Sequence, residues 1–512
     1  MTGTLTQAPS RSTTHRATAN GSSFSDHLTH LPQPPRGTTP NILRAAAAAA
    51  GVLALLAAVV LTGAASGARN QITTVGNTDA PSVRATDDFL FRLQDMDAQL
   101  VNALLVNGDD TVHVPRGTSE ALYDTDRKAA DGDLESATVA LAGDQHALDQ
   151  LHAVSDVFGQ YQAQATRTLA DDERDGGTVA GAAPASVYRD YLAGHSILFG
   201  DNDAGGLWKS ATDLEKSSRE AIDASASSAD SSLNMVAVNF LIFGVLLVGI
   251  LVALQVFVHR RFKRAVNPGL VGATLVALVF MIGGTVGTVV ASSDFHTAKN
   301  DAFDSVLALS EARATSAGIN SDESRWLLAH DYPAQRGQYE QSFLQGENAI
   351  AGLPGANTIA DYATELNAKA GITTADNLPP AALDPHSSFG AEFANITFPG
   401  EAQQALNAFA AYNAYIQDDT KLRSMPLTEA SGLKSAIDFD TNADTAGGSD
   451  RAFNDYSTAL GDVIANNESH FKSSMPAAKN GIGVWTWLPY VLALLLIGLT
   501  VLGLRPRLTE YR

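Results

Sequence analysis

The sequence predicts an all-α membrane protein that crosses the bilayer four times and carries two helical-bundle domains outside it. Three observations carry this. Four apolar runs are each long enough to span a membrane, and the stretches between them space their apolar residues by threes and fours. No sustained alternation of apolar and polar residues competes with either pattern.

The first run is residues 45–66, 22 residues without a charge, rich in Ala, Leu and Val. The second is 233–258, with Asn234, Asn239 and Gln255 as its most polar members. The third and fourth are 270–291 and 484–504. A helix rises about 1.5 Å per residue, so about 20 residues cover the hydrocarbon. Each run has to be helical there, because unpaired amides in lipid cost too much. Trp485, Trp487 and Tyr490 open the fourth run, where an interfacial aromatic belt is expected. The small residues from Gly63 to Ala68 resemble a signal-peptidase site. The long tail before them and the length of the apolar stretch read instead as an uncleaved signal anchor.

Charge sets the orientation. Segments 1–44, 259–269 and 505–512 hold 11 Lys/Arg against Asp26 and Glu510. Segments 67–232 and 292–483 hold 12 and 11 Lys/Arg against 28 and 25 Asp/Glu. The loop from His259 to Arg264, with Arg260, Arg261, Lys263 and Arg264, is the strongest positive-inside signal. Both termini are therefore expected in the cytoplasm and both acidic domains outside a cell membrane. The net charge of −21 argues against nucleic acid as a partner. With no cysteine, disulfides, thiolate nucleophiles and cysteine metal sites are excluded.

Each outer segment follows one membrane helix and leads into another, which suggests an internal duplication. Phe158-Gly-Gln-Tyr161 and Phe409-Ala-Ala-Tyr412 occupy comparable places in the two. Phe89, Leu93, Met96, Leu100 and Leu104 form one helical stripe, and Phe453, Tyr456, Leu460 and Val463 another. Such stripes belong to an up-and-down bundle standing on the bilayer. Gly, Pro and Asp clusters at 107–110, 171–184, 199–206, 371–399 and 438–450 mark the connections. Residues 1–43, rich in Ser, Thr, Pro and Gly, are expected to be disordered. The inner segments leave no room for a kinase, cyclase or methylated coiled coil.

Candidate chemistry is sparse. The dispersed histidines show no metal-ligand spacing, and no nucleophile, phosphate-loop or paired-carboxylate motif stands out. Neither catalytic residues nor a cofactor or metal site is expected, and the chain does not read as an enzyme. Asp438-Phe-Asp440-Thr-Asn442-Ala-Asp444 imitates half a calcium loop, but Ala443 stands where the turn needs Gly and the closing Glu is missing. Membrane runs without ionisable residues make a poor transporter. Gly283 and Gly287 allow close helix packing, within the bundle or between two copies in a homodimer. Acidic loops containing Asp109 and Asp110, Asp171, Asp172 and Glu173, and Asp438, Asp440 and Asp444 are the expected outer docking surface. Arg260, Arg261, Lys263 and Arg264 are the expected inner one, besides their contact with membrane lipid.

Two outward bundles, four spans, a short basic inner loop and no output domain together resemble an actinobacterial family of polytopic membrane proteins. That resemblance implies an extracytoplasmic amino-acid-binding lipoprotein and a soluble Ser/Thr kinase of the protein kinase G type as partners, with the membrane protein carrying the signal inward. Each bundle also resembles the four-helix sensor domains of chemoreceptors and histidine kinases. The expected function is transmembrane signal relay from a ligand or ligand-loaded solute-binding protein to a cytoplasmic protein kinase. A cell-envelope scaffold or a transporter accessory subunit is the alternative.

Overall fold

The computed structural model describes residues 39–200, 205–262, 267–378, 383–443 and 447–509. Among these it is helical throughout, with no strand. Four long helical struts dominate. The first is α1 (Thr39–Thr74), which passes through a π-helical stretch (Val75–Asp79) into α2 (Ala80–Val106). The second is α6 (Gly206–Phe262), 57 residues without interruption. The third is α7 (Pro268–His296), a second π-helical stretch (Thr297–Phe303) and α8 (Asp304–Leu328). The fourth is α14 (Ser449–Gly483), a 3₁₀ turn (Val484–Thr486) and α15 (Leu488–Thr509). All four contain a stretch long and apolar enough to cross a membrane. The apolar runs therefore do not end at the bilayer surface; their helices continue into the body beyond it. This is a multi-pass membrane protein.

In the membrane-spanning part α1 packs on α6 and α15, and α7 packs on the same two, closing a ring of four. Its outward-facing leucines and valines, such as Val59, Leu246, Val279 and Leu494, are exposed as lipid-facing side chains should be. Inside the ring α7 has no side chain at Gly284 or Gly287. A Cβ on Gly284 would lie 2.2 Å from the Phe240 ring, and one on Gly287 would lie 2.7 Å from Trp485 Nε1. Those two aromatic rings stack edge to face, 4.8 Å apart. Trp485 is thus buried between helices rather than in the expected interfacial belt, because the 3₁₀ turn that carries it rotates it inward. Trp487 and Tyr490 do face outward. The Gly283–Gly287 face is filled by Trp485 of the same chain.

The far end of the ring is stitched by polar side chains. Asn267 caps α7, accepting from the amides of Gly269 and Leu270, and its Nδ2 donates to the Gly503 carbonyl of α15 at 2.7 Å. Gln255 of α6 donates to Thr274 Oγ1 at 2.6 Å. These bonds satisfy polar groups that lipid could not.

Beyond the membrane, α3 (Arg116–Ala140), α4 (Gln145–Asp175) and α5 (Ala185–Phe199) complete the first segment. The second adds α9 (Pro333–Ile350), α10 (Ile359–Ile372), α11 (Ser388–Ala394), α12 (Glu401–Arg423) and α13 (Ala430–Asp440). The order repeats: membrane helix, π-helical stretch, a helix that turns back as an antiparallel hairpin, further helices, and a strut returning to the membrane. The two segments are not separate bodies, however. One apolar core runs from Ala85 to Val463 through both, with α2 and α8 side by side at its centre. In α2, 22 of 27 residues are buried. Only a narrow stripe, Pro81, Arg84, Asp88, Arg92 and Asp95, is left partly open, so the other polar residues of α2 must find partners inside.

Candidate functional site

The contact between α2 and α8 carries a seam of buried charge. Asn320-Ser-Asp-Glu-Ser-Arg325, six polar residues in a row on α8, are all buried. Burial on this scale is tolerated only where each group is hydrogen-bonded or paired. Asp97 of α2 is the hub. Its carboxylate accepts from Arg325 Nε at 2.8 Å and from Ser321 Oγ at 3.0 Å, with Arg325 Nη2 in an ion pair at 2.7 Å. Tyr191 of α5 and Tyr161 of α4 donate their hydroxyls to it at 3.2 and 3.4 Å. Arg325 Nη1 reaches Asp322 at 2.7 Å, and its guanidinium lies 4.7 Å from the Phe199 ring. Four helices from both segments therefore converge on one carboxylate.

A second group of acids lies alongside, with fewer cations. Glu323 accepts from Ser449 Oγ at 2.6 Å and from the Tyr415 hydroxyl at 2.9 Å. Asp440 accepts from Ser324, and Asp450 from Asn102 and Asn320. Asp419 pairs with Arg423 at 2.8 Å, whose guanidinium sits between the Trp326 and Phe343 rings. Burial pushes the Glu323 carboxyl well above the usual range, helped by Asp419 and Asp440 nearby. Burial raises Asp440 likewise, with Asp450 adding to it, and lifts Asp450 to about 6. Glu347 is raised by burial and has no hydrogen-bond partner for either oxygen. Burial in the seam thus favours the protonated form of these acids.

Between seam and membrane lies a layer where two of the four struts become π-helical and a third carries an internal proline. The first π-helical stretch meets α14 at Gly76, where a Cβ would stand 2.7 Å from Met475 Cγ. Met475 precedes Pro476, a proline inside α14 that removes one helical hydrogen bond. The second π-helical stretch packs on the same part of α14, with Phe303 and Phe471 rings 5.0 Å apart. Its Lys299 bridges Asp223 of α6 at 3.0 Å and Asp304 at 2.5 Å. At this level α6 and α14 stay α-helical, α14 with Pro476 inside it. π-Helical turns inside longer helices recur at functional sites.

The expected docking residues divide. Asp109 is buried and tied to Lys434 Nζ at 2.9 Å, joining the two segments; bonds from Thr111 and Lys434 hold its carboxyl well below the usual range. Asp172 is buried against Arg116 at 2.7 Å, and Asp440 faces the seam. These three serve internal contacts instead of an open surface, because acids in these loops are the nearest partners for cations on neighbouring helices. Asp438 accepts from the His113 amide. Asp110 and Glu173 are exposed, and Asp171 pairs with Arg174 at 2.6 Å. Arg260 and Arg261 end α6 at the loop end of the membrane ring. Asp444, Lys263 and Arg264 lie outside the described residues, as do residues 1–38 of the tail. Among the described residues no three His, Asp or Glu are grouped to hold a metal.

Fold and seam together define an all-α membrane protein whose body is built around a buried ionic hub. A family model described as an actinobacterial sensor domain matches residues 71–191. The match starts just before the first π-helical stretch and ends on Tyr191, so it holds Asp97 and both tyrosines that donate to it. Over these residues the chain is similar to that domain. No curated protein and no solved structure matches the chain.

Proposed function

We propose that this protein is a transmembrane signal relay, with both termini and the 259–269 loop in the cytoplasm and the helical body outside. The observation that supports it most is the layer around Val75–Asp79, Thr297–Phe303 and Pro476. A body locked by the Asp97–Arg325 hub sits on one side of this layer, and an apolar four-helix ring on the other. Two π-helical stretches and a helix proline at one level let these struts change register or tilt against α6 without dissolving the seam. The Asn267–Gly503 bond then links that movement to the turn between α6 and α7 and the inner end of α15. Similarity to a sensor domain over 71–191 fits a body that receives a signal.

In this reading a ligand, or a ligand-loaded solute-binding lipoprotein, biases two packings of the body. A cytoplasmic Ser/Thr kinase reads the inner ends, with Arg260 and Arg261 as its contact. The partner must bind the two states with different affinity, since equal affinity shifts nothing. Asp110, Asp171 and Glu173 are the acidic groups left for docking outside.

Crosslinking in native membranes, with and without extracellular amino acids, tests the reading. Relay predicts co-recovery of a solute-binding lipoprotein and a cytoplasmic kinase in amounts that change with the amino acid. Recovery of envelope-assembly proteins alone, indifferent to amino acids, contradicts it and leaves a scaffold.

A further inference from the structure

Away from the seam, an open cleft of about 360 Å³ lies where α2, α8 and α14 meet, lined by Arg84, Arg313, Ser457, Gly461, Ile464 and Glu468. Arg84 Nη1 contacts Glu468 across the cleft, and its Nε is 3.7 Å from Asp88. Arg313 Nη1 is 3.5 Å from the same Asp88, and its guanidinium lies 3.9 Å from the Phe91 ring. The buried Nε of Arg313 has no hydrogen-bond partner. Lys472 holds Glu468 from the other side at 2.8 Å. Two guanidiniums and one carboxylate thus line the cleft, with Asp88 and Asp133 close behind Arg84 and Arg313. In a body with an acidic excess, the two guanidiniums are the groups of the cleft that an anion can reach.

We infer that this cleft binds a small organic carboxylate. Guanidinium forks match a carboxylate in plane and spacing, and two of them line the cleft. Ser457 supplies a hydroxyl donor, and Ile464 an apolar wall for a short carbon stem. That wall favours a carboxylate on a carbon chain over inorganic phosphate. The ligand competes with Glu468 for Arg84, and the contact it replaces joins α2 to α14. Glu468 stands eight residues before Pro476, so its release loosens α14 next to the Gly76–Met475 contact. This consequence rests on the relay reading; binding itself does not.

The test uses the full-length protein in lipid nanodiscs, titrated calorimetrically at constant ionic strength with succinate, the neutral succinamide and inorganic phosphate. Saturable binding of succinate is expected, with no binding of succinamide and weaker binding of phosphate. Arg84→Gln and Arg313→Gln each weaken succinate about tenfold or more, as loss of one charge-assisted contact does. Glu468→Gln tightens it, because Arg84 is freed. Gly461→Phe blocks it while the melting temperature holds, since a Cβ at 461 meets nothing within 4 Å. Absence of succinate binding at about 10 mM, ten times a weak millimolar Kd, overturns the inference. So does equal binding of phosphate, or binding indifferent to all four substitutions. Binding without any movement of spin labels at the cytoplasmic helix ends leaves the cleft standing and sinks the relay. Movement on perturbing the seam without succinate binding does the reverse.

Discussion

At the scale of single residues, Asp97 and Arg325 decide whether the two segments hold together. Arg325→Leu leaves Asp97 buried with only hydroxyl donors, a loss of about 3–5 kcal/mol. Denaturant unfolding followed by Trp326 fluorescence measures it. Asp97→Leu with Arg325→Leu recovers part of the loss, because two apolar side chains leave no orphaned charge. A different residue sets a pH dependence. Burial, with Glu401 adjacent, pushes the Glu392 carboxyl from 4.5 to about 8. The folded state therefore keeps a proton that the unfolded chain loses near pH 4.5. Its contribution to stability is full below that pH and fades as pH rises towards 8. Asp450, raised to about 6, acts in the same direction. The melting temperature is expected to rise as pH falls from 8 to 5.5, against the usual trend for carboxylates, and Glu392→Gln flattens that slope.

At the scale of elements, the π-helical stretches make a prediction that ordinary helices do not. A π-helical turn holds one residue more than the α-helix needs, so deleting one restores the register on both sides. Deletion of Asn77, which is exposed, is expected to leave the Asp97 hub and the melting temperature nearly unchanged. The same deletion inside α2 turns its face by about 100° and unfolds the body. Circular dichroism melts of the two deletions separate the cases. None of this register was legible in the sequence, since Val75–Asp79 and Thr297–Phe303 carry no Pro or charge pattern that announces them. The four spans were legible because lipid demands about 20 apolar residues in a row. The hub was half legible. Phe89, Leu93, Met96, Leu100 and Leu104 mark one buried face of α2, but periodicity assumes a broad wet face opposite, and α2 keeps only the narrow stripe from Pro81 to Asp95. A signal was present in Asn320–Arg325: six polar residues between Ile319 and Trp326-Leu-Leu, in a stretch otherwise built for a core. Loop acids such as Asp109 and Asp172 read as surface because sequence does not show that Lys434 and Arg116 stand opposite.

At the scale of the whole molecule, one fused body stands on four struts, two of them π-helical at a common level where a third carries Pro476. One core runs through both segments and centres on α2 and α8, while the layer beneath it holds both π-helical stretches and Pro476. In the relay we propose, the packing of the body reaches the far ends of the struts, beyond the membrane ring, through this layer. Because the chain has no cysteine, spin labels can be placed without background at Ala46→Cys and Leu508→Cys, near the loop end of α1 and α15. Their distance distribution in nanodiscs, with and without Arg325→Leu, is the most direct test. The account predicts a shifted or broadened distribution when the hub is broken, and a return to the original when Asn77 is also deleted. An unchanged distribution, with the body measurably loosened, would contradict it.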